Sequence, residues 1–188
     1  MHRWQISVTT RPGRVDPPRQ RIKFEVANVP AHDSRLMPLV RNYDFLPSGY
    51  EDILLRVQSR EEIMADKIVA FASALKTRPC HRDLWDLQWM VRNGTDLRTD
   101  LIKRRVSDYA VVNFPSLVDE AAGCLPRILN FRAFLSEMER FLPESVIEKS
   151  FARDGFLDFM QHALNDLFVR SKEPWVDHNP NHSGDFRM

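Results

Sequence analysis

Lys67, Asp83 and Asp86 are the residues whose types and spacing could carry chemistry. At 100° per residue, Met64, Ile68, Phe71 and Leu75 fall on one stripe of a helix, with Ile63 and Ala74 extending it. Lys67 lies between Ile63 and Phe71, inside that apolar sector. An ammonium is rarely buried without a partner, because losing its hydration is costly. Either Lys67 snorkels to water from the edge of the stripe, or it aims into a cleft and holds an anion such as a phosphate. Asp83 and Asp86 are three apart, so on a helix they share a face, and Leu87 and Met90 share it too. Two carboxylates on such a face need a cation, a metal or backbone donors. Asp83, in the first turn, can satisfy orphan N–H groups and the helix dipole. Asp86 can pair with Arg82 or with Lys67. Glu25 sits on the polar side of a strand with Arg21 and Lys23, the usual setting of a cross-strand ion pair.

The elements that must position these groups fall into two regimes. Residues 1–58 read as strands. Trp4–Thr9 and Arg21–Val26 alternate apolar and polar, and Arg11–Pro18 between them is a loop by its Pro and Gly content. Two shorter strands are expected near Leu39–Phe45 and Ile53–Val57, with Pro47-Ser48-Gly49 as the turn. Helices are expected from Ser59 onward. Ser59-Arg60-Glu61-Glu62 forms a capping box in which Ser59 accepts from the N–H three residues on and Glu62 reaches back. This helix runs to about Thr77, before Pro79. The next runs from Arg82 to Arg92 and ends at the Asn93-Gly94 cap pair. Further helices are expected near Leu97–Val111, Ser116–Leu129, Phe131–Phe141, Ser145–Phe151 and Gly155–Ser171, punctuated by Pro115, Pro126 and Pro143. Strands first and helices after gives an α+β fold: a sheet over 1–58, a helical domain over 59–171 and a disordered tail over 172–188. His178 and His182 in that tail read as part of a floppy terminus. Four strands with no early helix make an incomplete sheet layer.

Composition narrows the classes. The chain has 188 residues, 43% of them hydrophobic and 28% charged, which suits a globular core and neither a disordered nor a membrane-spanning protein. No run of about 18 apolar residues exists, and Met1-His2-Arg3-Trp4 begins no apolar signal segment. Cys80 and Cys124 lack CxxC spacing and read as reduced thiols of a cytoplasmic protein. The net charge of +1 hides an asymmetry: residues 1–50 carry +4 and the rest −3. A basic front segment allows contact with a phosphate-bearing partner without demanding one.

Glu61-Glu62-Ile63-Met64-Ala65-Asp66-Lys67-Ile68-Val69-Ala70, followed by His81-Arg82-Asp83-Leu84-Trp85-Asp86-Leu87, resembles the signature of the AbiEii/AbiGii-type nucleotidyltransferase toxins of bacterial toxin–antitoxin systems. The Lys motif and the Arg-Asp-x-x-Asp motif match in order, and Arg21–Val26 resembles the strand before the helical half. The resemblance covers roughly residues 3–95. It implies a nucleotidyltransferase-like fold that takes a nucleoside triphosphate with Mg²⁺ and transfers a nucleotidyl group to an acceptor such as tRNA. It further implies that Lys67 contacts the nucleotide phosphates, that Asp83 or Asp86 serves the acceptor as base or positioning group, and that Glu25 stands at a metal-binding carboxylate. Such transfer asks chiefly for positioning and charge neutralisation.

One part of the family pattern is missing. Its Gly-Ser turn and Asp-x-Asp pair, which hold the Mg²⁺, have no counterpart: the chain contains no Asp-x-Asp. Glu25 alone would hold Mg²⁺ poorly. The expectation is therefore a truncated or split nucleotidyltransferase whose missing N-terminal half comes from another chain, or a degenerate member that binds nucleotide, tRNA or an antitoxin without chemistry. Setting the resemblance aside, the same residues suit a non-catalytic helical interaction protein with an internal ion-pair network of Lys67 with Asp83 and Asp86.

Overall fold

The computed structural model describes residues 2–8, 20–26, 28–40, 45, 49–75, 77 and 80–176. They form two compact units, Met1–Pro30 and Ala31–Met188. The expected turn at Pro47-Ser48-Gly49 lies largely outside the described residues, as do the loop of residues 11–18, His178 and His182.

The first unit is a hairpin. β1 (His2–Val8) pairs antiparallel with β2 (Gln20–Val26), with Trp4 opposite Phe24 and Ile6 opposite Ile22. Period-two alternation puts these four on one face. Arg3 opposite Glu25, Gln5 opposite Lys23 and Ser7 opposite Arg21 make the other face polar.

The second unit begins with another two-stranded sheet, β3 (Ser34–Pro38) antiparallel to β4 (Leu54–Gln58). This β3 precedes the strand expected near Leu39–Phe45, of which residues 41–44 lie outside the described residues. Its identity comes from pairing rather than alternation: Ser34 stands opposite Gln58 and Pro38 opposite Leu54. Beyond it, Leu39 N–H still donates to the Ile53 carbonyl at 3.1 Å. The fold is α+β, two small antiparallel sheets ahead of a helical half.

The helices are α1 (Arg60–Ala74), α2 (His81–Arg92), α3 (Thr99–Asp108), α4 (Phe114–Ile128), α5 (Phe131–Met138), α6 (Glu144–Phe151), α7 (Phe156–Ser171) and α8 (Glu173–Val176). The α1 stripe is buried as spaced: Met64, Ile68, Phe71 and Leu75 join Leu84, Leu87, Phe114, Leu125, Leu164 and Phe168 in one core. Phe71 and Phe168 stack with centroids 5.7 Å apart. Helix α1 lies against α2, α3 and α4, and α4 against α7.

Several termini differ from expectation for local reasons. Helix α4 begins two residues before the expected Ser116, with Pro115 in its first turn, and it holds Pro126 in its last turn, as the expected span does. Helix α3 stops at Asp108, short of Val111, because Ala110 takes a left-handed conformation at φ 49°. Val111 N–H then returns to the Val106 carbonyl and Ala110 N–H to the Ser107 carbonyl, a Schellman closure without glycine. Asn93-Gly94 ends α2 the same way, with Gly94 at φ 69° and Thr95 N–H on the Met90 carbonyl. The expected tail opens with helix α8, whose Trp175 lies 5.1 Å from the Phe114 ring.

Candidate functional site

Helices α1 and α2 bring three of the four sequence-identified residues to one point. Lys67 Nζ donates to Asp83 Oδ1 at 2.7 Å and lies 2.7 Å from Asp86 Oδ2. The side chains keep 23%, 22% and 41% of their surface exposed, respectively. Lys67 comes from the middle of α1, while Asp83 and Asp86 come from the first two turns of α2, three residues apart and so on one side. Burial pushes the Lys67 ammonium down, but the hydrogen bonds and charges of Asp83 and Asp86 outweigh it and hold it above its ordinary value. An ammonium has three N–H donors; the two carboxylates take two. The cluster carries a formal charge of −1 and is partly exposed.

Glu25 belongs to the other unit. It lies in the hairpin unit, paired with Arg3 at 2.7 Å across the two strands.

Sequence reasoning missed a second cluster beside the first. Arg105 of α3 is fully buried and gathers three carboxylates. Its Nη2 meets Glu62 Oε1 at 2.6 Å, its Nε lies 3.0 Å from Asp66 Oδ1, and its Nη1 lies 3.2 Å from Asp108 Oδ2. Glu62, also fully buried, accepts the backbone N–H groups of His32 at 2.6 Å and Asp33 at 2.9 Å. His32 Nε2 lies 2.7 Å from Asp108, and the Tyr109 hydroxyl donates to Asp66 at 3.1 Å. Only half of the expected capping box therefore forms. Ser59 Oγ accepts from Glu62 N–H at 3.1 Å, but Ser59 N–H goes to the Asp33 carbonyl, and the Glu62 carboxylate turns inward to Arg105. Arg105 hides in a Lys103-Arg104-Arg105 run that reads as a solvated face. The available signal was its position one turn after both Leu101 and Ile102, on the apolar side of α3.

The two clusters divide the motif between them. Glu62 and Asp66 are spent on the buried junction of α1 with α3. That junction fixes the rotation of α1 and so directs Lys67 toward α2. Lys67, Asp83 and Asp86 keep part of their surface exposed.

The Mg²⁺ implied by the resemblance asks for several oxygen ligands with net negative charge. Among the described residues, no group of three or more His, Cys, Asp or Glu is placed to hold a metal. Asp83 and Asp86 already enclose an ammonium, and Glu25, in the other unit, pairs with Arg3. The described residues do not fit a Mg²⁺ centre. Among the described residues, no helix is long and apolar enough to cross a membrane.

No curated protein and no solved structure matches the chain. The family model described as "Nucleotidyl transferase AbiEii toxin, Type IV TA system" matches residues 2–168, a span holding the β1–β2 hairpin, the Lys67 motif and the Asp83/Asp86 motif. The chain belongs to the AbiEii nucleotidyltransferase toxin family.

Proposed function

We propose that this chain serves nucleotidyl transfer as the toxin of a toxin–antitoxin pair, with Lys67 at the phosphates of a nucleoside triphosphate and Asp83, aided by Asp86, at the acceptor. The observation that carries this reading is the partly exposed cluster of Lys67 with both carboxylates, set beside a separately buried support. In the reaction, an acceptor hydroxyl oxygen bonds to the α-phosphorus and pyrophosphate departs. The hydroxyl proton goes to a carboxylate, for which Asp83 is the candidate. Lys67 exchanges a carboxylate contact for a phosphate oxygen and offsets charge as it develops. Asp86, the more exposed of the two, is the one to release. The acceptor we favour is tRNA, at its acceptor end, with an antitoxin as protein partner. Free thiols at Cys80 and Cys124 suit a cytoplasmic setting. Because the described residues do not supply the metal-holding carboxylates, we expect this chain to need them from a second polypeptide before it turns over.

A second reading has support too. Asp83 and Asp86 satisfy Lys67 completely enough for the trio to act as a brace between α1 and α2 in a non-catalytic binding protein. Thermal unfolding with and without triphosphate separates the two. A nucleotide site predicts a rise in Tm that Lys67→Ala abolishes. A brace predicts no nucleotide effect in either protein.

A further inference from the structure

A second basic feature lies on the helical unit, away from the Lys67 cluster. Two adjoining hollows of about 310 and 230 Å³ open between the end of α2, helix α6 and the start of α7. Both are lined by Arg92, Arg153 and Phe156, and Lys149 and Phe159 complete the walls. Arg92, Lys149 and Arg153 are exposed, and among the described residues none of them enters an ion pair. Asp154 is the acid in the lining, so the cleft keeps a positive balance. Aromatic rings accompany the cations. Phe156 is held by Phe151 at 5.3 Å and Trp85 at 6.0 Å. Phe159, one turn further on α7, is 56% exposed, and Trp89, one turn before Arg92 on α2, is 47% exposed.

We propose that this cleft binds the phosphodiester backbone of a single nucleic-acid strand, with the exposed ring of Phe159 stacking on a base. Cations spread over three elements follow a charged backbone, and exposed rings beside them give a sequence-tolerant stacking surface. A free phosphate would call for an enclosed pocket rather than an open cleft, and an acidic protein surface would have no use for the rings. Arg92 stands nine residues beyond Asp83, about 14 Å along α2 and half a turn round it. The cleft is therefore separate from the Lys67 cluster, and its assignment does not rest on the reaction proposed there.

The test is fluorescence anisotropy of a labelled oligouridylate strand with the full chain, without triphosphate, across a salt series. Binding should weaken with salt by about 0.7 log units per log unit for each phosphate neutralised. Arg92→Gln/Arg153→Gln should lower affinity about tenfold or more at low salt and flatten the slope by about 1.4. Arg92→Lys/Arg153→Lys should keep the slope. Phe159→Ala should cost about fivefold or more with the slope unchanged. Arg104→Gln/Arg127→Gln, which removes the same charge elsewhere, should leave binding near the parent value. Circular dichroism checks that each variant folds. The proposal is overturned by absence of binding to the parent chain, by an equal loss in the Arg104/Arg127 pair, or by full binding in Arg92→Gln/Arg153→Gln. It is also overturned if Phe159→Ala has no effect while inorganic polyphosphate competes as well as the strand does, which would leave a general anion surface.

Discussion

Asp66 and Lys67 are consecutive on α1 and hold different helices: Asp66 Oδ1 lies 3.0 Å from Arg105 Nε on α3, and Lys67 Nζ lies 2.7 Å from both Asp83 and Asp86 on α2. One residue step turns a helix by about 100°, so one short motif can face a buried support and an open site at once. The rotation of α1 about its axis is the quantity that Arg105 controls.

Removing a partner from the buried support should be costly. Glu62→Gln leaves Arg105 with one less full charge opposite it and weakens the hold on the His32 and Asp33 N–H groups. We expect a loss of about 3 kcal/mol in urea denaturation, with the m-value unchanged. Lys67→Ala, at a partly exposed pair, should cost about 1 kcal/mol or less. Equal costs would contradict the division of the motif into support and site.

The Lys67 cluster also makes a pH prediction. The folded-state value of Lys67 lies above its ordinary 10.5, so its contribution is complete below that pH and is lost as pH rises through the folded value. Tyr109 has the same sign. Burial and the nearby Asp66 carboxylate raise it from 10.0, so it must be removed from the comparison. In a Tyr109→Phe background, stability should fall above about pH 10.5 with Lys67 present and fall less steeply in Lys67→Met. Parallel curves would show that Asp83 and Asp86 do not hold the ammonium in solution.

Ala110 closes α3 at φ 49°, where a Cβ is disfavoured. Ala110→Gly should raise stability by about 1 kcal/mol, read from the urea midpoint. No gain, or a loss, would mean that the Schellman closure at Val106 and Ser107 is not formed.

That closure illustrates how much the sequence carried. The seven longer helices were legible because apolar spacing at three and four residues repeats through all of them, and capping residues marked α1 and α2. The end of α3 was not, because an alanine does what a glycine usually signals. Strand β3 was not legible because Ser34-Arg35-Leu36-Met37-Pro38 has no clean alternation and owes its state to β4. Lys67, Asp83 and Asp86 were legible as charges in an apolar sector. Arg105 was not, since its burial depends on Glu62, 43 positions earlier, turning away from its expected cap.

Removing charge from the open cluster should help an anion. Asp86→Asn takes one negative charge from beside Lys67 and should tighten triphosphate binding by about fivefold in calorimetry at low salt. Weaker binding would place Asp86 among the groups that hold the nucleotide through a cation.

The most direct measurement is transfer of label from an α-phosphate-labelled nucleoside triphosphate to tRNA, by the chain together with the second polypeptide that we propose it needs, comparing the parent with Lys67→Ala and Asp83→Asn. We expect labelled tRNA with the parent chain and a loss of about a hundredfold or more in each variant, with thermal unfolding showing both variants folded. Labelling by Asp83→Asn at the parent rate would contradict this expectation.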